Sequence, residues 1–249
     1  MRRSTLSLAI MVLTTFLLFY ACKKTEPTSA RMMPEQHQME QLKKSFEDSK
    51  KVIVAKVNGD PITMFTLLRE MNVIAEQYIK PGQQRTPEID SKVKTAALND
   101  LIFQELAIQE ARKGGMTVNA EVINGEINNI KAKEGDEKSF QGYLAMNGLS
   151  EEELRQMIER DQLFEMIATK EVDAKIRITD AALRERYKKE KSHLMTKNAA
   201  HKQMTYEEAR GMLEQGLRAE AGVKRMREWQ KELRKNAKIE IMEQNQQKG

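Results

Sequence analysis

Two short β-type segments, one at each end of a long helical stretch, constrain this chain more than any other feature. Val52-Ile53-Val54-Ala55-Lys56-Val57 is rich in β-branched residues and stops at Asn58-Gly59-Asp60-Pro61, a run of turn formers. Ala237-Lys238-Ile239-Glu240-Ile241 alternates apolar and polar side chains, the signature of a strand with one buried face. Nearly everything between Pro61 and Asn236 has helical periodicity instead. A lone strand leaves its backbone groups and apolar face without partners, so neither segment is stable by itself. The economical solution pairs residues 52–57 with 237–241 and holds the helices between them. The predicted fold class is mainly α: a multi-helix domain with a small β pair formed by its N- and C-terminal strands.

Capping and breaking residues delimit the helices. The first is predicted from about Pro61 to Ile79, with Phe65, Leu68, Met71, Asn72 and Ala75 on one face, before Pro81-Gly82 stops it. Thr86-Pro87 opens a second, which Gly114-Gly115 ends. Asn119 caps a third, carrying Ile123, Ile127 and Ile130, and a short fourth covers about Lys138 to Met146. Ser150-Glu151-Glu152-Glu153 is a capping box for a long fifth helix, and Thr179 caps a short sixth. Thr205-Tyr206-Glu207-Glu208 is a second capping box, opening the helix that carries Trp229. Gly211, Gly216 and Gly222 each weaken that last helix by about 1 kcal/mol relative to alanine, so tertiary contacts are expected to hold it.

The N-terminus predicts the compartment. Met1-Arg2-Arg3, an apolar run from Leu6 to Tyr20 and a small residue at Ala21 are the marks of a secretory signal. Phe19-Tyr20-Ala21-Cys22 resembles a bacterial lipobox and places the only cysteine of the chain at the lipidated position. Residues 1–21 are thus an expected signal peptide, and 22–50 an expected lipid-anchored flexible tether with a helical end near Met39 to Phe46. No thiol is left for a disulfide, a thiolate metal site or thiol catalysis. The formal net charge is +5, falling to +3 without Arg2 and Arg3, with both signs interspersed. A nucleic-acid binder needs a clustered basic face, so no nucleic acid is expected as a partner.

Three stretches together resemble a known family. They are Val57-Asn58-Gly59-Asp60-Pro61-Ile62-Thr63, then Leu98-Asn99-Asp100-Leu101-Ile102-Phe103-Gln104-Glu105-Leu106-Ala107-Ile108-Gln109-Glu110-Ala111, then Gly148-Leu149-Ser150-Glu151-Glu152-Glu153-Leu154-Arg155. In this order they are similar to the N-terminal chaperone domain of the SurA, PrsA and PpiD family, and Leu233 to Ile241 is similar to its closing helix and strand. The resemblance implies a chaperone domain over 51–191, completed by a helix and strand over 205–242, with a tail at 243–249. In the family a parvulin prolyl isomerase domain usually sits between these parts. Here that place holds only a loop at 192–204, too short for a sheltered core. Ser192-His193-Leu194-Met195 looks like the opening of a parvulin strand, but without the rest of the pocket no catalytic residue is expected.

No metal or nucleophile constellation stands out: His37, His193 and His201 lie in tether or loop, and no cofactor is expected. What remains is surface. The 16 methionines suit irregular apolar contacts, and amphipathic helices joined by short loops can line a hollow that binds unfolded polypeptide clients. The candidate client-facing residues are Phe65, Met71, Phe140, Met146, Met157, Phe164 and Trp229. The expected activity is that of a periplasmic lipoprotein holdase acting without nucleotide and without covalent chemistry. Its membrane contact is an N-terminal lipid, and Lys23 after the cysteine resembles outer-membrane sorting. The competing expectations are a degenerate prolyl isomerase and an adaptor lipoprotein with one folded partner. Strand edges at 52–57 and 237–241 would also support a strand-swapped homodimer.

Overall fold

The computed structural model of the chain describes residues 36–79, 84–194 and 202–242. Along them run α1 (Gln36–Lys51), β1 (Ile53–Val57), β2 (Asp60–Thr63), α2 (Met64–Tyr78), α3 (Pro87–Lys113), α4 (Ala120–Glu134), α5 (Glu137–Met146), α6 (Glu151–Glu171), a 3-10 turn (Asp173–Lys175), α7 (Asp180–Glu190), α8 (Tyr206–Lys235) and β3 (Ile239–Ile241). The described chain is mainly helical, with one small antiparallel sheet ordered β2-β1-β3. The expected signal and Cys22 lie outside the described residues, and no described helix is long and apolar enough to cross a membrane.

The predicted pairing of the two ends is present. Ala55, Lys56 and Val57 face Ile241, Glu240 and Ile239 in antiparallel register. Asn58 locks the corner twice: its N–H donates to the Lys238 carbonyl and its Oδ1 accepts from the Lys238 N–H, both at 2.8 Å. The Met242 N–H then donates to the Val54 carbonyl at 2.9 Å. The third strand was not anticipated. Asn58-Gly59-Asp60-Pro61 does not lead straight into a helix but turns a hairpin, with Asn58 at φ 53° and Gly59 at φ 102°. Two consecutive residues at positive φ are what a tight two-residue hairpin demands. Pro61 is tolerated because β2 is an edge strand, where a missing N–H breaks no ladder. The helix therefore starts three residues later than predicted, capped by Thr63, whose Oγ1 accepts from the Thr66 N–H at 3.3 Å.

The predicted caps are present on α3, α4, α6, α7 and α8, while Asp136, which caps α5, was not predicted. Thr86 Oγ1 accepts from the Ile89 N–H, and Asn119 Oδ1 from the Glu121 N–H. Both capping boxes close reciprocally: Ser150 N–H donates to Glu153 at 2.7 Å while Glu153 N–H donates to Ser150 Oγ at 3.1 Å. Thr205 and Glu208 do the same at 2.7 and 3.3 Å.

The chain divides into two compact units. In the first, which takes in residues 36–167 and 233–242, one core joins the sheet (Val54, Val57, Ile62) to Leu67 and Ile74 of α2 and Ile102 of α3. A bulge at Val54 turns two successive β1 side chains, Val54 and Ala55, inward. A second core gathers Ile127, Phe140, Leu144, Leu154 and Ile158 from α4, α5 and α6. One charge is enclosed as well. Glu105 of α3, only 4% exposed, accepts from Arg160 of α6 at 2.6 Å and from Gln109 at 2.9 Å. The Gln109 amide also reaches the Val57 carbonyl and Asp60, so the same network anchors the hairpin to α3.

The second unit, Ala168–Glu232, contains a small core of Leu183, Leu194, Ala209 and Leu213. The ends of the predicted loop over 192–204 are tied to each other: Met204 N–H donates to the Leu194 carbonyl and the Tyr187 hydroxyl to the Met204 carbonyl, both at 2.8 Å.

Candidate functional site

The first unit carries a helix with two apolar sides. Met64, Leu67, Met71 and Ile74 of α2 pack into the sheet core. Phe65 and Leu68 fall on the other side: Phe65 is half-buried and Leu68 is 47% exposed. The sequence pattern had placed Phe65, Leu68 and Met71 on one common face. The segment Met64-Phe65-Thr66-Leu67-Leu68 is too uniformly apolar for periodicity to say which side faces inward.

Charged groups surround the outer side of α2. The Arg69 guanidinium carbon stands 5.7 Å from the Phe65 ring centroid, and its Nη2 is 3.5 Å from the Met157 Sδ on α6. Both are soft contacts that hold the guanidinium against apolar surface. Burial, reinforced by the negative charges of Asp100 and Asp161, pushes the Glu70 carboxyl up to about 7, with Arg69 opposing. Asp161 is raised to about 6, chiefly by the protein standing around it, against the pull of Arg160 and Arg69. Asp161 is nevertheless open to solvent. Open surface with restricted hydration belongs to a recessed position, not to a sealed one.

Glu70 has a consequence for stability. Its folded pKa, about 7, lies above its ordinary value of 4.5, so the folded chain binds the proton more tightly than the unfolded chain. The contribution of Glu70 to stability is therefore greatest below about 4.5 and declines as pH rises, until the decline is complete above about 7. Glu70→Gln should remove that slope: its melting temperature should exceed that of the natural chain at pH 8 and match it near pH 4. Calorimetric scans at the two pH values check this, and an equal difference at both would contradict it.

The seven predicted client-facing residues separate into two groups. Phe65, Met71, Met146 and Met157 are half-buried, and Met71 and Met157 flank the two cores of the first unit. Phe140, Phe164 and Trp229 are buried and offer no surface in this conformation. Phe140 stacks on Tyr143 with ring centroids 6.4 Å apart, beneath the Lys131 ammonium at 4.6 Å. Phe164 meets Phe103 edge to face at 5.6 Å. Large aromatic side chains are the most profitable to enclose, which is why these three became core. Leu68 and Met166 are exposed apolar residues of the first unit that the sequence reading did not put forward, since nothing in a helical stripe distinguishes its outer edge. In the second unit His193 is exposed, with Nδ1 3.2 Å from Ser192 Oγ. Among the described residues no three His, Cys, Asp or Glu side chains are grouped to hold a metal ion.

The family model described as SurA-like N-terminal domain matches residues 38–168. Over 130 residues the chain is 25% identical to chaperone SurA of Hahella chejuensis, covering 51% of this chain and 29% of that one. It is equally similar to chaperone SurA of Chromobacterium violaceum, with 52% of this chain and 30% of that one covered. The similarity thus spans less than a third of the length of these relatives. A solved SurA-like chaperone of Campylobacter jejuni is 14% identical, with a TM-score of 0.48 over 78% of this chain and 100% of that one.

Proposed function

The chain belongs to the family of SurA-like N-terminal domains, and from that premise we propose that it is a holdase, binding unfolded polypeptide without nucleotide and without covalent chemistry. The observation that carries the reading is the second apolar side of α2. Phe65 and Leu68 lie outside the sheet core, Leu68 is exposed, and the Arg69 guanidinium lies against Phe65 and reaches half-buried Met157. Exposed apolar side chains rimmed by charge bind extended chains while keeping the protein soluble. Clients are held by transient burial and released by mass action as they fold. Phe65, Leu68, Met146 and Met157 form the client-facing set, and Met71, turned to the sheet core, stands outside it. The proposed setting is the periplasm, with Cys22 lipidated and the anchor in the outer membrane.

The test is suppression of aggregation of several unrelated unfolded proteins at near-stoichiometric ratios. Leu68→Asp combined with Phe65→Ala should lower that suppression about tenfold, since burying a carboxylate against the client offsets the apolar gain. The sheet core should be unaffected, because neither side chain belongs to it. Protection of one protein alone would instead favour an adaptor. Proline-limited refolding should not accelerate, and acceleration abolished by His193→Ala would overturn the holdase reading.

A further inference from the structure

Helix α1 is attached lightly. From His37 to Lys51 none of its residues is buried, and Met39, Leu42 and Phe46 form a single half-buried stripe. A helix of 16 residues is marginal alone, so its seat decides whether it stays in place. The predicted tether is therefore helical and docked over its last part, and the reason is Phe46. Its ring meets Phe65 edge to face, with centroids 5.8 Å apart and planes at 86°. Gly148, just after α5, leaves the space: a methyl group there would overlap the Phe46 ring and stand 2.9 Å from its Cβ. One turn beyond Phe46, the Lys50 ammonium pairs with Glu153 at 2.7 Å and lies 5.2 Å from the Phe65 ring centroid.

We infer that the seat formed by Phe65, Gly148 and Glu153 is a client subsite reading one aromatic side chain, and that α1 is its resident stand-in, displaced when a client enters. This rests on the holdase reading above. Every contact α1 makes here is one that an unfolded segment could make with a Phe, Tyr or Trp followed a turn later by lysine. The ring would lie on Phe65 in the space that Gly148 leaves, and the ammonium would reach Glu153. Aliphatic side chains fit less well, because they forgo the edge-to-face contact with the Phe65 ring. The exchange need not open the sheet. The core residues of α2 lie on its other side, and the Val52 carbonyl stays bound to the Met64 N–H at 2.7 Å, so α1 can swing about Lys51.

A seat occupied most of the time weakens apparent client affinity by the fraction left open. Two labelled, unstructured peptides test this on the full chain by fluorescence anisotropy, one carrying Phe with lysine four positions later and one with that Phe changed to Leu. Phe46→Ala should bind both peptides about tenfold more tightly than the natural chain, with the Phe peptide the tighter ligand in every protein, and equal affinity for the two peptides would refute the aromatic reading. Lys50→Glu, which repels Glu153 but leaves every apolar wall and Phe46 itself intact, should show the same gain toward both peptides at about threefold. It decides the matter if Phe46→Ala fails to fold. A synthetic peptide of residues 36–51 should compete with the Phe peptide for the Phe46→Ala chain. Equal affinities in all three proteins, each still suppressing aggregation, would make α1 a fixed structural helix and overturn the inference alone. Failure of all three to suppress aggregation or bind either peptide would overturn the holdase reading as well.

Discussion

Phe140→Ala is expected to cost the first unit about 4 kcal/mol of stability, the largest single effect among its aromatic residues. Phe140 has no exposed surface and sits among Ile127, Leu144, Leu154 and Ile158. Its removal leaves a ring-sized void between three helices, α4, α5 and α6, whose backbones cannot all move in to fill it. The stack on Tyr143 and the Lys131 ammonium above the ring are lost with it. Urea unfolding followed by circular dichroism measures the loss. The same variant separates the two roles that the sequence allowed for this residue. If Phe140 is purely core, aggregation suppression well below the melting temperature should equal that of the natural chain. Lost suppression at unchanged stability would return it to the client-facing set.

Arg160→Ala should follow at about 3 kcal/mol, toward the lower end for a broken buried pair because Arg160 keeps one side in water. The damage comes from what is left behind: Glu105 stays enclosed with Gln109 as its remaining donor, and Gln109 is also committed to Val57 and Asp60. A double replacement, Glu105→Leu with Arg160→Met, should recover most of the loss, since it removes both charges from the apolar region instead of stranding one. Denaturant midpoints of Arg160→Ala and of the double variant check this. A double variant as unstable as Arg160→Ala would mean that the network, and not charge burial, sets the cost.

Much of this fold was legible because its boundaries rest on local chemistry. Thr86, Asn119, Ser150, Thr179 and Thr205 cap helices in the structure as their side chains predict. The joining of residues 52–57 to 237–241 was legible for a different reason: two strand patterns in a helical chain had nothing else to pair with. Where two local rules competed, the reading failed. Asn58-Gly59 signals a hairpin and Pro61 a helix start; the hairpin prevailed because Ile62 could pair with Ala55 and join the core. The candidate site was legible only in part. Phe65 and Met157 were picked out as apolar residues on helices, but so were Phe140 and Phe164, and a stripe cannot say which of its members tertiary packing will enclose. The seating of Phe46 depends on a glycine about a hundred residues away, a relation that no local pattern encodes.

The closure of β1 against β3 also dictates an order of events. Helices and the β1–β2 hairpin rely on neighbours in sequence and can form early, whereas the third strand must bring together residues separated by most of the chain, at a large entropic cost. Ile239 to Ile241 should thus join the sheet after the hairpin has formed. Until it does, the edge of β1 that β3 covers stays without a partner, the point at which a second chain could pair instead.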